Sequence, residues 1–174
     1  MKIILETERL LSRQFTIEDT AFVIKLLNTP GWMQFIGDRN VRTEEEAKKY
    51  LLNSPIKSFK ENGFGLGLVL LKNTCEPIGM CGLVKRESLQ GVDIGFAFLP
   101  EYSGKGYAQE IASATLLYAK ETLKVPVVLA IVMPKNERSI KLLHKIGLHF
   151  KTMITLTKDG EDLMLFSSNA NVTD

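Results

Sequence analysis

A chain of 174 residues with 45% hydrophobic and 24% charged side chains has the balance of a globular protein and the length of one domain. A net charge of +2 gives no basic excess for nucleic acid or a membrane surface, and two cysteines cannot build a disulfide framework. Glu6, Glu8 and Arg9 interrupt any N-terminal apolar run, and no window is long and apolar enough to span a bilayer.

A soluble cytoplasmic protein with free, buried thiols at Cys75 and Cys81 is the expectation. His144 and His149 are the only histidines, and no metal-ligand spacing surrounds them or the cysteines, so no metal is expected.

Residues 8–14 alternate around Leu10 and predict a first strand. Thr16 and Asp19 sit at capping-box spacing, so a helix should follow and run to Asn28, where Thr29-Pro30-Gly31 ends it. Thr43 and Glu46 form a second box for a long helix that falters at Asn53-Ser54-Pro55 and resumes over 57–62.

Residues 66–71, 78–85 and 92–99 are apolar runs split by turns, an antiparallel meander. A helix is predicted over 105–123, a strand over 127–133 and a helix over 136–146, stopped by Gly147. Residues 148–157 and 161–166 make a closing hairpin around Lys158-Asp159-Gly160, and a polar tail over 168–174 should fray. A meander followed by strand–helix–strand–helix predicts a single mixed α/β domain over 1–167.

The most informative segment is Asp93 to Ala108, an apolar strand, a turn with Gly104 and Gly106, then a helix. Such a turn leaves unpaired N–H groups at the positive end of the helix dipole and suits a phosphate. A Walker loop fails because Lys105 lies between the glycines and Tyr107 follows the second. A dinucleotide fingerprint fails because position 109 is Gln and the preceding strand belongs to a meander. An ordinary strand-to-helix turn stays open on this segment alone. A second segment, Asn136 to Gly147, opens a helix with Asn136 as N-cap and Ser139 one turn on.

Taken in order, these segments resemble the GNAT superfamily of acyl-CoA-dependent N-acetyltransferases. Within it the chain looks most like the Rim-type branch, which includes ribosomal-protein N-terminal acetyltransferases. Glu6-Thr7-Glu8-Arg9-Leu10-Leu11-Ser12-Arg13 matches the N-terminal strand of that branch, with Ser12 where Leu is common. Asp93 to Glu110 matches its G-x-G-Y-A turn, and Asn136 to Gly147 its N-x-x-S-x-x-L-x-x-K-x-G helix. Glu101, Ser103 and Leu148 depart from common choices. Leu143 stands where many relatives carry a Tyr general acid, so that role cannot be carried over.

The resemblance implies a mostly antiparallel sheet with a splayed parallel strand pair, flanked by helices, and acetyl-CoA as co-substrate. Its pantetheine arm would pair with the backbone of Ile94, Phe96, Ala97, Phe98 and Leu99. Its pyrophosphate would sit on Ser103, Gly104, Lys105, Gly106, Tyr107 and Ala108, and Asn136 would bond the arm.

The resemblance implies a primary amine as acceptor, on a protein N-terminus or a small molecule, and a monomer or homodimer is the expectation. An α-amine starts near pKa ~8 and a lysine near ~10.4, so a base must take a proton. Asp93 is the expected base and Ser139 the expected proton donor to the thiolate. Asp159, Glu161, Tyr102, His144 and His149 are weaker candidates, and Trp32, Met33 and Phe35 could face the acceptor. A non-catalytic acyl-CoA sensor and a nucleotide binder are the rival readings.

Overall fold

The computed structural model describes residues 2–157 and 160–169. Its strands are β1 (Ile3–Glu6), β2 (Leu10–Arg13), β3 (Leu66–Leu71), β4 (Pro77–Lys85), β5 (Val92–Phe98), β6 (Val128–Val132), β7 (His149–Thr155) and β8 (Asp162–Ser167). Its helices are α1 (Thr20–Leu27), α2 (Pro30–Phe35), α3 (Glu44–Asn53), α4 (Pro55–Asn62), α5 (Tyr107–Glu121) and α6 (Glu137–Lys145). The strands form one sheet in the order β1-β2-β3-β4-β5-β6-β8-β7. Every neighbouring pair is antiparallel except β5 and β6. The expected mixed α/β sheet with one parallel pair is the fold.

Local chemistry explains most element boundaries. The Thr16 N–H donates to Asp19 at 2.8 Å, closing the predicted box around a 3₁₀ turn that leads into α1. Glu46 accepts from the Thr43 N–H at 2.9 Å and closes the second box at the start of α3. Gly106 has φ +83° and stands as N-cap, so α5 begins at Tyr107 and not at 105 as predicted. A left-handed residue cannot continue a helix, and glycine takes that conformation without a Cβ penalty.

Some expectations are corrected, and one strand is added. The strand expected over 8–14 is β2, and β1 precedes it, joined to it by a turn in which Thr7 N–H donates to the Leu10 carbonyl at 2.9 Å. Thr29-Pro30 does not merely end a helix: Thr29 caps α2 and Pro30 takes its first position, where a missing N–H costs nothing. Cys75 is exposed in the β3–β4 turn, whereas Cys81 is buried. Ser168, the first residue of the expected tail, is held by its N–H donating to the Val128 carbonyl at 2.8 Å. The turn residues Lys158 and Asp159 and the tail from 170 lie outside the described residues.

Strand alternation sends side chains to two cores. Leu10, Val69, Ile78, Leu83 and Ile94 pack with Ile111 and Ala112 of α5, Leu143 of α6 and Phe166. Leu11, Leu68, Leu70 and Met80 pack on the other face with Val23, Leu26, Ala47 and Leu51 of α1 and α3. Helices α5 and α6 therefore cover one face, and the helices from α1 to α3 cover the other.

Close strand packing leaves no room for a side chain at Gly82. A Cβ there would run into the Gly65 carbonyl oxygen and lie 2.9 Å from the Leu66 Cα, both backbone atoms. At Gly95 it would meet only side chains at 3.4 and 3.5 Å. Gly82→Ala is expected to cost about 3 kcal/mol, the upper range for overpacking. Gly95→Ala should stay within about 0.5 kcal/mol. Chemical denaturation of both variants measures the difference.

Candidate active site

The site begins where a pairing stops. Val92 pairs with Val128 and Asp93 with Leu129, and no pairing between β5 and β6 follows. Beyond that point β5 is held by β4 on its other side and β6 by β8. The two strands separate into a V with Asp93 at its vertex. One edge of the β5 backbone then faces a gap with no strand partner, and unpaired backbone groups need hydrogen bonds from elsewhere.

The gap belongs to a cleft of about 1590 Å³. That exceeds the roughly 300–1,000 Å³ of a pocket for one small ligand. One wall is Ile94 to Phe98, Ser103, Gly104 and Gly106 to Gln109, with Asn136 and Ser139 from the start of α6. The other comes from the opposite helical face, with Trp32, Phe35, Arg39, Lys49 and Tyr50.

Most sequence-predicted residues meet at this cleft: Asp93, Phe96, Ala97, Phe98, Ser103, Gly104, Gly106, Tyr107, Ala108, Asn136 and Ser139 all line it. Leu99 does not. It is 2% exposed in the core, its N–H donates to the Ile78 carbonyl and its own carbonyl accepts from Tyr102. Lys105 is also outside the lining, with its ammonium over the Tyr102 ring at 5.2 Å. His149 lies on the exposed strand β7, and His144 packs edge-on against Phe166 at 5.2 Å. Met33 is exposed outside the lining, and Asp159 is outside the described residues.

Gly104 has φ +76°, and nothing lies within 4 Å of where its Cβ would be. The turn thus needs glycine for its conformation and leaves open space where a side chain would project. Its N–H groups and the start of the fifteen-residue helix α5 make a cradle for an anion. At α6 the Asn136 oxygen accepts from the Ser139 N–H at 3.2 Å, which orients the carboxamide at the cleft wall.

Sequence reasoning missed what braces this turn. The Arg9 guanidinium donates to Glu110 at 2.7 Å and to the Lys105 carbonyl at 3.1 Å, and lies 4.6 Å from the Tyr107 ring centre. The Arg9 N–H and the Thr7 hydroxyl both donate to the other Glu110 oxygen, at 2.9 and 2.6 Å. Two more links hold the far side: Tyr102 donates to Glu76 at 2.5 Å and Lys25 pairs with Glu101 at 2.8 Å. Burial pushes Glu110 upward, but the hydrogen bonds from Thr7 and Arg9 outweigh it and hold the carboxyl below its ordinary value.

At the vertex, Asp93 is 1% exposed. Arg86 Nε reaches both its oxygens at 3.1 Å. Burial pushes the Asp93 carboxyl above its ordinary value, and Arg86 opposes this without cancelling it. Arg86 is a second residue the sequence did not reveal. Cys81 is buried against Thr115, and its thiol is pushed up to about 12 by desolvation, so it stays protonated.

A mixed sheet opened at a parallel pair, with an anion cradle at one lip, is the architecture of an acyltransferase that works across a cleft. Residues 9–149 match the family model of the acetyltransferase (GNAT) domain. The uncharacterized N-acetyltransferase YnaD of Bacillus subtilis is 31% identical over 142 residues, 82% of this chain and 80% of that one. A GNAT-family acetyltransferase from Bacillus anthracis superposes with a TM-score of 0.77 at 27% identity, covering 95% and 96% of the two chains. The ribosomal-protein-S5-alanine acetyltransferase of Vibrio fischeri shares the fold, with a TM-score of 0.78 at 22% identity and 94% of each chain covered. The chain belongs to the GNAT family of acetyltransferases. Among the described residues no helix is long and apolar enough to cross a membrane.

The brace makes a pH prediction. Glu110 is held below its ordinary 4.5, so its contribution is complete above that pH and fades as pH falls through the depressed folded value. Glu110→Gln should lose that component of the acid-unfolding profile. Melting both proteins between about pH 3 and 6 tests this, and parallel curves would refute it.

Proposed function

We propose that the protein transfers an acetyl group from acetyl-CoA directly to a primary amine. The observation that carries this reading is the V between β5 and β6 with the glycine turn at its lip. The unpaired β5 edge at Phe96 to Phe98 fits the amides of a pantetheine arm, and Asn136 at the start of α6 can bond that arm. The turn from Ser103 to Ala108 fits a pyrophosphate, because Gly104 leaves the space that a Cβ would fill.

Acetyl-CoA supplies the activated thioester. This chain supplies position, charge and proton movement. Asp93 accepts a proton from the incoming ammonium, and its raised value suits a base that must later give the proton up. A β5 backbone N–H at the gap can stabilise the charge that develops on the acyl oxygen. The transfer forms one C–N bond and breaks one C–S bond. The second amine proton ends on sulfur, with the Ser139 hydroxyl at the cleft wall as its carrier. Leu143, 1% exposed, fills core where it offers no proton. The acceptor is an amine on a protein N-terminus or a small molecule.

Calorimetry should show acetyl-CoA binding, weakened at least about tenfold by Gly104→Val, because the side chain fills the cradle. No binding of any acyl-CoA at millimolar concentration would end this reading. A base that must be ionised makes activity rise with pH, along a limb lying above the ordinary aspartate range. Asp93→Asn should lower kcat roughly 10²–10⁴-fold and abolish that limb. Thiol release with an amine panel measures both.

A further inference from the structure

The cleft carries an unequal set of charges. Glu46 and Asp93 are the only carboxylates lining it among the described residues. Each already has a partner within the protein. Glu46 accepts from the Arg42 N–H at 2.7 Å and the Thr43 N–H at 2.9 Å, which makes it part of the α3 cap. Asp93 holds Arg86 with both oxygens.

The cations are not consumed in the same way. Arg39 and Lys49 line the wall from the α1–α3 face and pair with no carboxylate among the described residues, Arg39 lying near enough to Tyr50 to act on it by charge. Arg86 uses only its Nε on Asp93. Its two terminal amino groups carry four N–H donors that meet no protein acceptor among the described residues, and the side chain is 33% exposed. A guanidinium pinned through one nitrogen keeps its outer edge as a rigid, planar fork.

We propose that the acceptor is a primary amine that also bears a carboxylate, and that the outer edge of Arg86 binds this carboxylate. Two parallel N–H donors match two carboxylate oxygens, and the pair works best where water is partly excluded. The same contact brings the amine next to Asp93, because one guanidinium touches both. Arg39 and Lys49 add a positive field across the cleft that draws an anionic acceptor inward. A polyamine would meet six lining cations, Arg39, Lys49, Arg86, Arg138, Lys141 and Lys145, and no carboxylate without a protein partner, an arrangement that rejects it. The carboxylate is that of a free amino acid or of an acidic side chain near a peptide N-terminus. Both present the same chemistry to Arg86. This inference rests on the acetyl-transfer reading above.

The test compares matched acceptors with acetyl-CoA in excess. One arm pairs free amino acids with their amides. A second pairs peptides carrying Asp or Glu in their first residues with the corresponding Asn or Gln peptides, and spermidine serves as the polycation. The native protein should favour the carboxylate member of at least one arm by roughly tenfold or more in kcat/KM. Arg86→Gln should erase that ratio mainly through a higher KM for the acceptor, and Arg86→Lys should restore part of it. Acetyl-CoA affinity, measured by calorimetry, should be unchanged in both variants.

A native ratio near one in both arms overturns the proposal, whether or not a variant folds. So does a preference for spermidine, or an Arg86→Gln loss that is equal for both members of each pair. If the protein binds acetyl-CoA but uses no carboxylate-bearing amine, the proposal fails and the cofactor reading stands. If it binds no acyl-CoA, the cofactor reading itself fails.

Discussion

The site depends on the short parallel contact between β5 and β6. Two residue pairs, Val92–Val128 and Asp93–Leu129, fix the strands together, and then each is claimed by a different neighbour. β4 pairs with β5 along its length, from Lys85 at one end to Gly79 at the other. β8 does the same for β6, from Leu129 to Val132. Each strand follows the twist of its own antiparallel partner, so the two diverge. A longer parallel pairing would close the gap and satisfy the β5 backbone internally. The cleft exists because backbone hydrogen bonds are left unmade at one edge, and such an edge is stable only if water or a ligand takes their place.

An open edge needs firm flanks, and the turn after β5 is intrinsically weak. Gly104 and Gly106 both take left-handed conformations that glycine visits freely in the unfolded chain as well, so the turn loses much entropy on ordering. The chain offsets this with contacts from far away in sequence. Arg9 and Thr7 reach Glu110, Glu76 reaches Tyr102, and Lys25 reaches Glu101. The N-terminal hairpin thereby gains a role beyond extending the sheet. Its Thr7-Glu8-Arg9 turn grips the first turn of α5, and the Lys105 carbonyl is held from outside the cleft. Exposed ion pairs contribute little singly, but here they share partners, and one ordered side chain serves several bonds.

Legibility followed the range of each interaction. The boxes at Thr16 and Thr43 join residues three apart, so spacing alone reveals them. Thr29-Pro30 carried the signal of a helix start as clearly as that of a stop, and only packing of Trp32, 6% exposed, decides between them. β1 escaped notice because Ile3 to Glu6 is a short edge strand without clean alternation. The insertion of β8 between β6 and β7 is a pairing choice that no local pattern encodes. The same limit governs the site. Gly104, Gly106 and Asn136 belong to short motifs and could be read. The pairing of Asp93 with Arg86 depends on how the β4–β5 turn folds back, and the Arg9–Glu110 bond spans about a hundred positions. Leu99 sits one residue past the end of β5, where the chain dives into the core, and extrapolating the strand by one position placed it wrongly at the cleft.

The vertex of the V shows why a base there needs a partner of limited strength. A carboxylate 1% exposed among apolar strands would cost so much to ionise alone that it would stay protonated. A fully engaged guanidinium would drive its value far down and leave it too weak to take a proton. Arg86 does neither. It contacts both Asp93 oxygens through a single nitrogen, at 3.1 Å, from a position partly open to the cleft. Burial and pairing pull in opposite directions, and burial prevails. In the proposed mechanism the base is set by this partner, whose terminal nitrogens meet no protein acceptor among the described residues. A carboxylate arriving there would draw on the same guanidinium charge that restrains Asp93 and would raise the basicity of Asp93 as it binds. Recognition of the acceptor and activation of its amine then act through one side chain.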